Sequence, residues 1–168
     1  MAERETDPKV RPFMAFSFAV QISVPDVVQR VCNAAFAECD GLEMTMEVKT
    51  IRQGGDNGRQ VRLTGPMGFG TLTLKRGMTA SVDLWTWFDN LVDNPGLRAD
   101  AVVVLYAAGQ PADAQAQRGV SASWELSRCV PVKLKAPPLN ARDGMIAIEE
   151  LQLAYESLRL RPQAQGGG

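Results

Sequence analysis

The chain has 168 residues, 45% of them hydrophobic and 22% charged, which suits one globular domain with a core of its own. Eighteen Lys and Arg stand against nineteen Asp and Glu, so the formal charge is −1 and there is no electrostatic footprint for nucleic acid or a membrane surface. There is no histidine, which excludes Ser-His-Asp and Cys-His catalysis and removes the commonest metal ligand.

No apolar run approaches the roughly 20 residues of a membrane span. The opening MAERETDPKVRP is charged and lacks the apolar segment of a secretory signal, so synthesis in the cytoplasm is expected. Cys32, Cys39 and Cys129 are odd in number and form no CxxC. They read as reduced structural thiols rather than a disulfide framework or zinc site. Neither a cofactor nor a metal is expected.

Residues 1–11 read as a flexible polar arm, 12–161 as the domain and 162–168 as a flexible tail. Pro12 opens a strand in which Phe16, Phe18, Val20, Ile22 and Val24 share one face. Residues 27–39 fit a short helix and a strand equally. Asp40-Gly41 is a tight-turn signal between strands. Residues 42–51 alternate, with Leu42, Met44, Met46 and Val48 on one side and Glu43, Thr45, Glu47 and Lys49 on the other. Arg52, Gly54, Gly55, Asp56, Asn57, Gly58 and Arg59 form a glycine-rich loop. It lacks both the P-loop and the GxGxxG pattern, so it does not read as a phosphate cradle. Val61 and Leu63 begin the next strand, and residues 65–70 read as an irregular link to the strand after it.

Residues 70–92 read as strand, turn and helix. Leu72 and Leu74 alternate with Thr71, Thr73 and Lys75, and Gly77 ends the strand. Thr79 or Ser81 is a candidate helix cap, with Asp83 in the first turn. Leu84, Trp87, Phe88 and Leu91 form the apolar stripe of a core helix. Asn94-Pro95-Gly96 stops it, with Gly96 suited to a left-handed cap. Residues 101–106 are continuously apolar and suit a strand buried on both faces. Residues 109–119 are a polar loop. Trp124, Leu126, Val130, Val132 and Leu134 keep even parity in one long strand, where Pro131 signals an edge or bulge. For 145–161, helix propensity competes with a strand containing a parity slip. Six or seven strands and one helix make a mainly β domain.

The segments GLEMTMEV, IRQGGDNG, GTLTLKRGMT and LWTWF, with the closing AIEELQLAYESLRL, resemble the inner-tube proteins of contractile tails and extracellular contractile injection systems. Arg11-Pro12-Phe13 and Phe36 followed by Cys39-Asp40-Gly41-Leu42 fit as well. The likeness runs over residues 11–161. Tyr155 stands where many members have His.

The resemblance implies two packed antiparallel sheets, sandwich- or barrel-like, with one flanking helix, and it makes 145–161 strand. It implies hexameric rings stacked into a tube around a lumen. Glu43, Thr45, Glu47 and Lys49 would face that lumen, and the loop from Arg52 to Arg59 would reach the next ring. The implied partners are further copies of the chain, a sheath protein, a baseplate hub and tube initiator, a cap or terminator, and luminal cargo, whether protein effector, tape measure or DNA. The particle would be a phage tail or a tail-like particle, cytoplasmic or released. Two other readings stay open here: a tube initiator or baseplate-proximal paralogue, and a monomeric ligand-binding β-barrel with an apolar cavity. No assembled catalytic set supports an enzyme.

Overall fold

The computed structural model describes residues 17–25, 30–34, 36–52, 54–55, 60–107, 119–142 and 144–162. Among them are ten strands and one helix: β1 (Phe18–Ser23), β2 (Arg30–Ala34), β3 (Glu38–Asp40), β4 (Met44–Arg52), β5 (Gln60–Phe69), β6 (Thr71–Gly77), α1 (Asp83–Asp93), β7 (Ala99–Tyr106), β8 (Val120–Lys135), β9 (Ile148–Ala154) and β10 (Ser157–Pro162). The count exceeds six or seven because Arg30–Ala34 and Glu38–Asp40 are the strands β2 and β3, and the closing segment divides into β9 and β10.

All described pairings are antiparallel, in the order β2-β1-β7-β8-β9-β6-β3, with β10 also on β8 and β4-β5 apart as a hairpin. The long strand β8 belongs to both sheets. Its first part pairs with β7 and β10, and from Val130 onward it pairs with β9. The change falls at Arg128, which has φ 56°. A non-glycine residue held there needs support. Its N–H donates to Asp100 Oδ1 at 3.1 Å and its Nε to Glu156 Oε2 at 2.7 Å.

The bend overturns the single parity expected of this strand. Ala122 and Leu126 are buried before it, Cys129 and Pro131 after it, and Val132 is exposed. Pro131 does adjoin a bulge, where β8 slips against β9. The core joins Val20, Ile22, Val103 and Leu126 of one sheet to Leu72, Leu74, Leu151 and Leu153 of the other. Each fully buried leucine or isoleucine contributes roughly 2 kcal/mol. The apolar run in β7 is not buried on both faces. Ala99, Ala101, Val103 and Leu105 are buried, while Val102, Val104 and Tyr106 are half-exposed.

Helix α1 begins differently from expectation. Its N-cap residue is Val82, with no side-chain cap. Thr79 Oγ1 accepts the Ser81 N–H at 3.3 Å, and the Asp83 carboxylate takes the Leu84 N–H at 2.9 Å. At the other end Asn94 has φ −132°, and the positive-φ glycines among the described residues are Gly41 and Gly55, so Gly96 makes no left-handed cap. Leu84 and Trp87 are buried; Trp85, Phe88 and Leu91 are half-buried.

What fastens the helix is a charged group at a core position. Arg76 continues the inward parity of Leu72 and Leu74 and is 3% exposed; Glu149, on the inward face of β9, is 1% exposed. Arg76 Nε donates to Glu149 Oε1 at 2.5 Å, and its other arm reaches Asp83 Oδ1 at 2.7 Å. Trp85 Nε1 donates to Glu149 Oε2 at 3.3 Å, and the Phe36 ring lies 5.9 Å from the guanidinium. Ile148 is exposed, because Glu149 takes the inward place.

Cys39 and Cys129 are free thiols. Burial and then the neighbouring Asp100 push Cys129 up to about 12; burial and then Asp40 push Cys39 to about 11. Both stay protonated and poorly nucleophilic at neutral pH.

Breaking the network from one side should cost more than replacing it whole. Arg76→Met leaves Glu149 buried without its cation and is expected to cost about 3–5 kcal/mol by urea unfolding; adding Glu149→Leu should recover much of that loss. Asp83 supplies a pH test. Partial burial favours raising its carboxyl, but hydrogen bonding with and charge on Arg76, with the Leu84 N–H and Ser81, outweigh this and hold it below its ordinary 3.8. Its stabilisation is therefore present above the unfolded-state value and lost as pH falls through the depressed folded value. In urea titrations between pH 6 and 2, Asp83→Asn should flatten the acid limb below about pH 4.

Candidate functional site

Strands β4 and β5 pair with each other and with no other strand of the described chain. A lone two-stranded ribbon is marginal in water. This one is also bare on both sides. Met44, Met46, Val48 and Ile51 of β4 are 43–58% exposed, and Val61, Leu63 and Met67 of β5 are 38–53% exposed. Contiguous apolar surface of this kind marks an interaction site.

Residues paired across a ladder share a face. Met44↔Phe69, Met46↔Met67 and Val48↔Thr64 lie on one face, and Thr45↔Gly68, Lys49↔Leu63 and Ile51↔Val61 on the other. Near its root the ribbon is thus apolar on the Met44 face and polar on the side of Thr45, Glu47 and Lys49. Towards its tip the pattern inverts. Thr50↔Arg62 and Arg52↔Gln60 make the first face polar, while Ile51, Val61 and Leu63 make the second apolar. The register shifts near the middle, where Glu47 stands opposite Gly65 and Pro66. Pro66 has no N–H to lose, and a Cβ on Gly65 would press against Glu47. Residues 65–69 are therefore strand with a bulge, not an irregular link.

Arg52 ends β4, and Gly54 and Gly55 start the turn, with Gly55 at φ 100°. Asp56, Asn57, Gly58 and Arg59 lie outside the described residues, as does most of the 109–119 loop. Glu43 stands just before β4 and is exposed, like Thr45, Glu47 and Lys49.

The root is built from distant parts of the chain. Asp40-Gly41 does not close a hairpin, since β3 pairs with β6 and β4 with β5. It turns the chain out of one sheet and into the ribbon. Gly41 has φ 94°, and a Cβ there would overlap the Thr71 carbonyl. The Asp40 carboxylate takes the Gly41 N–H at 2.8 Å, and the Gly70 N–H donates to the Glu43 carbonyl at 3.2 Å. Tyr155, buried beyond the end of β9, places its hydroxyl against this turn. The sequence signal for Tyr155 is its parity, which continues that of Leu151 and Leu153 inward.

No group of three or more acidic or thiol side chains placed to hold a metal occurs among the described residues. A cleft of about 370 Å³ lies by the end of α1, but Asn94, Arg98, Asp100 and Arg128 make much of its lining polar. It is not the apolar cavity a barrel for small ligands would offer.

The family model for the T4-like virus tail tube protein gp19 matches residues 14–159. No match was found among curated proteins. Among solved structures, a chain of the anti-feeding prophage baseplate, six-fold symmetrised, has a TM-score of 0.77 at 25% identity, covering 90% of this chain and 97% of that one. A chain of the sheath-tube complex of the PVC extracellular contractile injection system, in its extended state, has a TM-score of 0.74 at 20% identity, covering 90% and 93%. A chain of the anti-feeding prophage tube-terminating cap has a TM-score of 0.73 at 20% identity, covering 97% and 100%. The last two are likenesses of fold.

The root geometry can be tested alone. Gly41→Ala forces a side chain into a left-handed position and onto the Thr71 carbonyl. It is expected to cost about 2 kcal/mol or more in urea unfolding, whereas Gly54→Ala, with open space around its Cβ, should change stability by less than about 1 kcal/mol.

Proposed function

The chain belongs to the T4-like virus tail tube protein family, and we propose that it is the repeating subunit of the inner tube of a contractile injection particle, six copies to a ring with rings stacked around a lumen. The observation that carries this reading is the β4-β5 ribbon, whose outer strand edges have no partner within the described chain and whose Met44, Met46, Val48, Ile51, Val61, Leu63 and Met67 side chains stay exposed. Six ribbons joined side by side would close a barrel and leave no free edge.

The two halves of the ribbon then take different neighbours. The Met44, Met46, Val48 and Met67 face is covered within a ring. Glu43, Thr45, Glu47 and Lys49 turn to the lumen, where charges of mixed sign give passing cargo no single-sign field to adhere to. The tip, with Ile51, Val61, Leu63 and the loop from Arg52 to Arg59, meets the adjacent ring. The role is structural, not enzymatic. A sheath outside, a baseplate hub and initiator below, a cap above, and a protein or nucleic-acid cargo inside complete the assembly. The likeness to chains of a baseplate, a sheath-tube complex and a cap supports this set of partners.

Negative-stain microscopy with light scattering over a concentration series tests the reading. Six-fold rings or hollow tubes are expected. Met46→Glu should leave the melting temperature within a few degrees and abolish rings; Ile51→Glu should leave rings that do not stack. A wild-type protein that stays monomeric at high concentration, and also when offered a cognate baseplate and sheath, would sink it.

A further inference from the structure

Tyr155 touches the ribbon's root on both sides, at the approach to β4 and at the end of β5. Its hydroxyl lies 2.8 Å from the Gly41 carbonyl and 3.0 Å from the Glu43 carbonyl, and it accepts the Glu43 N–H at 3.1 Å. Its ring meets the Phe69 ring at 5.7 Å, tilted by 52°. Glu43 is the residue before β4, and Phe69 is the last of β5. One buried side chain thus holds the entry of one strand and the exit of the other. The ribbon has no ladder to the body. Apart from Leu42 and Phe69, which pack against the core, its angle rests on two short backbone crossings, at residues 41–43 and 69–71, joined by the Gly70 N–H to the Glu43 carbonyl.

Without the hydroxyl, the Glu43 N–H keeps only the 3.1 Å contact to the Gly41 carbonyl two residues back. A contact spanning two residues does not fix where a strand points. The hydroxyl ties it instead to a residue 112 positions away that is anchored on β9.

We propose that the Tyr155 hydroxyl is a latch that fixes the exit angle of the β4-β5 ribbon in the single subunit, so that the ribbon is set for pairing before a second copy arrives. The proposal rests on the tube-subunit reading for its consequence in assembly, but not for the latch itself. Ordering done before association need not be done during it, and such preorganisation shows in affinity.

The test compares wild type, Tyr155→Phe and Phe69→Leu. Tyr155→Phe keeps the ring and removes the hydroxyl; Phe69→Leu keeps the hydroxyl and removes the ring pair. In dilute protein, hydrogen exchange of peptides spanning residues 41–46 and 67–71 reads the latch directly. Tyr155→Phe is expected to speed exchange there about tenfold or more, with a melting temperature within a few degrees of wild type and no change in the β7-β8 ladder. Phe69→Leu should change it much less. The threshold concentration for rings should rise about tenfold in Tyr155→Phe. Unchanged exchange in Tyr155→Phe, equal acceleration in Phe69→Leu, or a Tyr155→Phe chain that does not fold would each overturn the latch. Faster exchange with an unchanged ring threshold would overturn its role in assembly. If wild type makes no rings under any condition, the tube reading fails and the exchange result alone decides the latch.

Discussion

A strand edge that meets water is a template for another strand, and a sheet face rich in methionine and valine is a surface that water leaves readily. The β4-β5 ribbon carries both, with unpaired outer edges and apolar residues on each side. Within the described chain nothing covers them. Everything else in the fold can be read as a base that holds this ribbon out. The turn at Gly41 lifts it from the sheet, the bulge at Gly65-Pro66 shapes it midway, and Tyr155 and Phe69 grip it at the root.

The base has its own logic. A guanidinium at a core position is tolerable only if its charge and donors are met. Arg76 satisfies this by joining three elements: its own strand β6, Glu149 on β9 and Asp83 on the first turn of α1. A helix with no side-chain cap is thereby tied to the sheet by charge as well as by Leu84 and Trp87. The direction of an ion pair adds what apolar packing lacks, a preferred seat for the helix.

Much of the base was legible in the sequence. Alternation in β1 and β6, the helix stripe and its stop at Asn94-Pro95 all arise from local pattern, because each element is half-buried and its neighbours lie on one side. The strand at Met44–Arg52 was legible too from its alternation, although every residue of it is exposed. What local pattern could not give came from distant partners. Arg76 and Glu149 meet only once β6 and β9 are paired, across 73 positions of sequence. The Arg128 bend was hidden because Val130 and Val132 look inward by parity, and only the left-handed backbone reverses the faces. The inversion along the ribbon needed the register of β5 against β4, which the bulge shifts.

The shared strand β8 has a mechanical consequence. Two layers that touch only through side chains can shear past one another. Here a single covalent backbone of 16 residues runs through both. Its bend is stapled by Asp100 from β7 on one side and by Glu156, between β9 and β10, on the other. A load applied to either layer passes along peptide bonds into the other, and sliding the layers apart requires straightening Arg128 and stripping ladders to β7, β9 and β10 together. The two layers should therefore respond to a load as one stiff body.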